Sequence, residues 1–106
     1  MNNFSIFFWD SNDVPKVFNM KKNAIVTVGR DIDNDLVISM NSVSRKHGIF
    51  INTESKIHYV DYSSTFGSFI NGKKINNEEA VTINTGDKLN LGNAELTVSV
   101  SSDSRI

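Results

Sequence analysis

Residues 25–72 read IVTVGRDIDNDLVISMNSVSRKHGIFINTESKIHYVDYSSTFGSFING, and the fold is decided there. Apolar residues come in short runs, Ile25–Val28, Leu36–Ile38, Ile49–Ile51 and Ile57–Val60, rich in β-branched side chains. Each run is closed by Gly, Asn, Ser or Asp, the residues that tolerate turns, so the runs read as strands. No window holds apolar residues at i, i+3, i+4 and i+7 for long enough to make a sizeable helix. Between the runs fall four polar pieces: Gly29-Arg30, Ser44-Arg45-Lys46-His47, Ser63-Ser64-Thr65-Phe66-Gly67 and Asn71-Gly72. Their position between strands places them on loops.

Outward from this stretch the same grammar continues. Phe4–Trp9 is a further β-rich run, and Asn71-Gly72 between Ser68-Phe69-Ile70 and Lys73-Lys74-Ile75 is a hairpin signal. Val81–Ile83, Lys88–Leu91 and Glu95–Val100 complete the set, with Gly86-Asp87 and Gly92-Asn93 as turns. Strands recurring about every 8–12 residues predict an all-β sandwich or barrel of about ten to eleven short antiparallel strands. The segment from Asp10 to Asn19, which holds the single proline, Pro15, reads as a long connection, and the tail 101–106 as frayed.

Bulk properties exclude several classes. A chain of 106 residues has room for one domain. A net charge of −1 gives no broad positive field for a nucleic-acid backbone. With no cysteine there is no disulfide framework, thiolate metal site or thiol nucleophile. Ile6-Phe7-Phe8-Trp9 is too short for a signal peptide, and no run approaches the roughly 18 apolar residues of a membrane span. The expectation is an intracellular protein with no membrane and no direct nucleic-acid contact.

The order and spacing of the four polar pieces resemble the forkhead-associated (FHA) domain, from about Ile25 to Val100. The resemblance implies an FHA/SMAD-like two-sheet β-sandwich, residues 1–106 being a single domain, and a phosphothreonine-containing protein or peptide as partner. It implies that Arg30 grips the phosphate, Ser44 donates to it, Arg45 helps, and Thr65 lies near the phosphothreonine. Gly29, His47, Gly67 and Asn71 become loop-structural residues, His47 by hydrogen-bonding to loop backbone. Phe66 stands where the family usually has Asn, whose amide bonds to the peptide main chain on both sides of the phosphothreonine; an aromatic there can instead pack on a ligand side chain. Ser68 replaces the usual Thr. The N-terminal FHA domains of nibrin-type and checkpoint-mediator proteins extend the expectation to nuclear DNA-damage signalling. Some of those self-associate, so the alternative function is a homodimerisation or docking scaffold with weak or no phosphopeptide binding, formed on an apolar sandwich face or on the Phe4-Ile6-Phe8 edge.

Residue chemistry bears on the same assignments. A guanidinium presents a planar fork of donors matched to phosphate oxygens and stays charged at any accessible pH. The competing reading of Arg30 is a surface ion pair with Asp31, Asp33 or Asp35. Ser44 and His47 suggest hydrolysis, but three residues apart at a strand start they do not converge, and no carboxylate is evidently placed to orient the imidazole. No enzymatic constellation is expected, and no cofactor. Asp31, Asp33 and Asp35 alternate as in a calcium loop, yet Leu36 occupies its Gly position and Ser42 its terminal Glu position, so no metal site is read there. His58 reads as a strand-face residue, and Lys73-Lys74 as a solvated hairpin; on the FHA reading, specificity for residues flanking the phosphothreonine is expected from Asn41-Ser42-Val43 and from Lys73-Lys74.

Overall fold

The computed structural model describes residues 2–10, 12–21, 23–53 and 56–102. Among them are eleven strands and no helix. They are β1 (Asn2–Trp9), β2 (Pro15–Met20), β3 (Ile25–Gly29), β4 (Leu36–Val37), β5 (Gly48–Asn52), β6 (Ile57–Asp61), β7 (Ser68–Ile70), β8 (Lys73–Lys74), β9 (Val81–Ile83), β10 (Lys88–Leu91) and β11 (Ala94–Ser102). Two sheets form, one ordered β2-β1-β11-β10-β7-β8 and the other β4-β3-β5-β6-β9. Among the described strand pairings only the short β3–β4 pair is parallel, beside an isolated parallel bridge between Asp61 and Asn77.

Alternation along the strands builds the core. Phe4, Ile6 and Phe8 of β1, Leu89 and Leu91 of β10, and Leu96 and Val98 of β11 point inward from the larger sheet. Val26 and Val28 of β3, Phe50 of β5, and Ile57 and Tyr59 of β6 meet them from the other. Phe50 and Tyr59 stack tilted at 55° with ring centroids 5.0 Å apart, a favoured aromatic geometry. Gly48 makes room for that tyrosine, since a Cβ there would stand 2.1 Å from its hydroxyl oxygen. Asn71 and Gly72, at φ of 50° and 85°, join β7 to β8 in the mirror-image turn that matches strand twist.

Three expectations are corrected. The Asp10–Asn19 connection holds an edge strand, β2, paired with β1 from Phe4↔Met20 to Trp9↔Pro15. Pro15 is tolerated because it opens an edge strand, and the Asp10 carboxylate closes the preceding turn by accepting from the N–H groups of Asn12 and Val14 at 2.9 Å each. Phe4, Ile6 and Phe8 form no free edge, because β1 lies between β2 and β11 and all three side chains are buried. Ser101 and Ser102 are not frayed but pair with Asn3 and Asn2; the rest of the tail lies outside the described residues.

Candidate functional site

One end of the sandwich carries the loops after β3, before β5 and between β6 and β7. Gly29 lets the first two touch: a Cβ on it would stand 2.2 Å from the Arg45 carbonyl oxygen. Across that contact Arg30 N–H donates to Ser44 C=O at 2.9 Å, and Asp31 N–H to Arg45 C=O at 3.2 Å. Asn34, nearly buried, locks the pair from beneath, its Nδ2 donating to the carbonyls of Asp31 (2.9 Å) and Arg45 (2.8 Å). Arg30 is held by its Nε, which donates to Val43 C=O at 3.0 Å. Among the described residues no carboxylate pairs with Arg30. The surface ion-pair reading therefore gives way. Asp35 is engaged elsewhere, accepting from the Thr27 N–H and hydroxyl.

The loop between β6 and β7 closes on the same place. Thr65 N–H donates to Ser44 Oγ at 2.9 Å, which uses an acceptor position of that hydroxyl and leaves its proton to donate. His47, fully buried, stands behind both loops: its Nδ1 accepts from Ser44 N–H at 3.0 Å, and its Nε2 lies 3.0 Å from Gly67 C=O. An acceptor at Nδ1 requires the proton at Nε2, so the ring is neutral and donates to Gly67. Burial pushes its pKa down, against the upward pull of the Gly67 carbonyl and Asp61.

Asp61 was not singled out by sequence. Its carboxylate lies 3.8 Å from His47 Nε2. It accepts from Ser64 N–H (3.0 Å), Ser64 Oγ (2.6 Å) and Ser68 Oγ, while Tyr59 OH lies 2.9 Å from Ser68 Oγ. Burial raises the Asp61 pKa, but the serine hydrogen bonds and His47 outweigh that and leave it below the usual carboxylate value. The alternation Ile57, Tyr59, Asp61 held the signal: period two puts this carboxylate on the buried face, where only a cluster of donors makes it tolerable. A carboxylate thus does face His47, contrary to expectation. Hydrolysis still has no support, because the imidazole bonds backbone rather than the Ser44 hydroxyl. Neighbouring Ser63, at φ 57°, is fixed by Asn77, whose Oδ1 accepts its N–H at 2.6 Å.

These constraints shape two adjoining depressions. Arg30, Asp31, Ser44, Arg45, Lys46, Ser63 and Thr65 line a basin of about 530 Å³, three cations against one carboxylate. Phe66, Phe69, Asn41, Ser42, Gly92 and Asn93 line an uncharged groove of about 470 Å³. Phe66 is 58% exposed there, so the structure places it beside the basin rather than in it. Gly92 is again a close-approach glycine, its Cβ position 2.1 Å from Ser42 C=O. Asn71 lies away from both depressions and joins the β7–β8 turn to β10: its Nδ2 donates to Asp87 and its Oδ1 accepts from Lys88 N–H, each at 3.0 Å.

The sequence profile of the FHA domain matches residues 26–92, which is more than half the chain and includes the whole lining of the basin and all of the groove's but Asn93. The chain is an FHA domain. That makes it a protein-interaction module rather than an enzyme fold. It is 32% identical over 78 residues to the transcriptional regulatory protein EmbR of Mycobacterium tuberculosis, covering 74% of this chain and 20% of EmbR. Nibrin of Danio rerio is 35% identical over 65 residues, 61% of this chain and 8% of nibrin. The matched stretch thus spans a fifth or less of these relatives' length. The fold is shared with the FHA domain of an Arabidopsis thaliana protein, at TM-score 0.88 and 20% identity, covering 100% of this chain and 92% of that one.

Proposed function

We propose that this FHA domain binds phosphothreonine-containing segments of a partner protein, with the phosphate in the basin and a flanking side chain in the groove. The observation that carries the reading is Arg30: a cation held through its Nε, bordered by Ser44 and Thr65, and paired with no carboxylate among the described residues. A phosphothreonine brings about −1.5 to −2 charges and strong acceptor oxygens, which suit the fork of Arg30, the Ser44 hydroxyl and the flanking Arg45 and Thr65. Micromolar affinity needs about −8 kcal/mol in all, within reach of such charge-assisted bonds plus a few flanking contacts. Support comes from EmbR, also solved with a low-affinity phosphopeptide, which shares the fold at TM-score 0.77 and 24% identity, covering 96% of this chain and 26% of that one.

The narrower setting, nuclear DNA-damage signalling, draws support from the similarity to nibrin; the similarity to a mycobacterial regulator supports the recognition chemistry in another cellular context. Self-association is the second reading. It rests on the outward row Phe7, Trp9 and Val17, exposed by 42%, 60% and 56% on neighbouring strands β1 and β2. Calorimetric titration with a degenerate phosphothreonine peptide library and its unphosphorylated counterpart, alongside sedimentation over micromolar concentrations, tests both. Binding of the phosphorylated library alone is expected. Equal affinity for the two libraries overturns the phosphate reading, and a mass constant at 11.8 kDa removes the dimer.

A further inference from the structure

We infer that Lys74 is a specificity-determining residue that reads an anionic side chain flanking the phosphothreonine. The inference rests on the phosphothreonine reading above. Lys73 and Lys74 sit side by side in β8, but pleating sends them to opposite faces. Lys74 is the cross-strand partner of Phe69, and Lys73 that of Ile70. Phe69 faces outward and lines the groove, so its partner Lys74 is placed on the groove's side of the hairpin; both lysines also border a separate depression with Ile70, Ile75 and Glu79.

Gly67 brings Lys74 to the site. It lies between Phe66 of the groove and Ser68 of the buried network, at φ +86°, and carries no Cβ. A Cβ built there would stand 3.1 Å from Lys74 Cε and 3.8 Å from its Nζ. The aliphatic end of Lys74 therefore fills the notch beside the Thr65-Phe66-Gly67 loop, and its ammonium stands at that loop. Among the described residues no carboxylate pairs with it, whereas Lys16 and Lys88 pair with Asp10 and Glu95. The groove lining itself is uncharged. A peptide laid from the basin across Phe66 meets an unpaired cation as the next charged group, and the complementary ligand group is an anion. A glutamate, an aspartate or a second phosphorylated residue supplies that chemistry.

The test uses an alanine-flanked phosphothreonine peptide and variants carrying one glutamate, or one phosphoserine, at each of the three positions on either side. Each is titrated into wild type, Lys74→Glu and Lys73→Glu, all exposed hairpin changes that leave the core alone. At one position glutamate is expected to tighten binding to wild type by up to about fivefold, the upper range of a rim ion pair. Lys74→Glu turns that gain into a loss, Lys73→Glu keeps it, and raising the salt shrinks it. Phosphoserine exceeding glutamate there identifies a second phosphate as the better source; glutamate alone identifies a carboxylate. The inference is overturned if no position responds to either anion, or if Lys73→Glu abolishes the gain as fully as Lys74→Glu. Failure of every phosphothreonine peptide to bind overturns the function itself and this inference with it, whereas normal binding of the alanine-flanked peptide without an anion effect overturns this inference alone.

Discussion

The basin and the groove are neighbours of similar size, built in opposite ways. The centre of the basin is fastened: Arg30 to Val43, Ser44 to Thr65 and His47, the Arg45 backbone to Asn34, and the β6–β7 loop to Asp61, with the exposed Arg45 and Lys46 side chains at its rim. The groove has a close-packed floor at Gly92, but its principal feature, Phe66, is a largely exposed side chain. Donors fixed before the ligand arrives lose little conformational freedom on binding, whereas an exposed aromatic must be ordered by what it packs on. The basin is thus fitted to supply affinity for a group that never varies, and the groove to supply selectivity among side chains that do.

The sharpest way to break this contrast is to remove the fastening. His47→Ala strips the partner from Ser44 N–H, which costs about 1–3 kcal/mol when buried and unsatisfied, removes one of the two donors on Gly67 C=O (Gly92 N–H remains), and leaves a cavity as well. A loss of about 3–5 kcal/mol in folding stability by urea denaturation is expected. A loss under about 1 kcal/mol would show that water replaces the ring and that the basin is not built on it. Arg30→Ala addresses the ligand side. It should weaken phosphothreonine-peptide binding by about 2–5 kcal/mol, the range for breaking a desolvated charge pair. Stability should fall by only about 0.5–1.5 kcal/mol, the net worth of the bond to Val43. Calorimetry paired with thermal melts separates the two effects, and unchanged affinity would remove the phosphate from the basin.

Phe66→Asn sharpens the contrast from the groove. An asparagine there offers two hydrogen bonds to a peptide main chain, about 1–3 kcal/mol together for a generic phosphothreonine peptide. A cognate peptide that packs on the phenyl ring should weaken with the same change. Opposite signs for the two peptides place Phe66 at the ligand; no effect on either places it outside the contact.

The same difference governs what could be read from sequence. Basin residues were legible because each follows a local rule: Arg30 comes after the glycine that ends an apolar run, and Thr65 sits in a hydroxyl-rich turn closed by Gly67. Asn34 and Asp61 follow local rules too, but their role appears only when the carbonyl of Arg45 and the hydroxyls of Ser64 and Ser68 converge on them. The groove was legible only in pieces, Phe66 and Asn41-Ser42, since its assembly from three segments depends on Gly92 approaching Ser42, fifty residues away in sequence. β2 was hidden for another reason. It is an edge strand opened by proline, with Val17 exposed, so it lacks the buried alternation that marked the other strands.

Acid should separate the two depressions most gently. His47 accepts from Ser44 N–H, so protonating Nδ1 would set two donors face to face, and burial holds its pKa below the ordinary 6.5. Between those two values the unfolded chain binds a proton that the native chain refuses. The stability owed to the neutral ring is therefore fully present above about pH 6.5 and lost as pH falls below it, at no more than about 1.4 kcal/mol per unit. Asp61 does not interfere in this window, because its lowered pKa confines its own contribution to losses at more acidic pH. None of the groove's lining residues titrates here. Urea denaturation from pH 7.5 to 5.5 should show stability falling, by no more than about 1.4 kcal/mol. The fall should persist in His58→Gln, which removes the other histidine. Stability that holds level, or a slope that vanishes with His58, would mean that the ring behind the basin is not the group that refuses the proton.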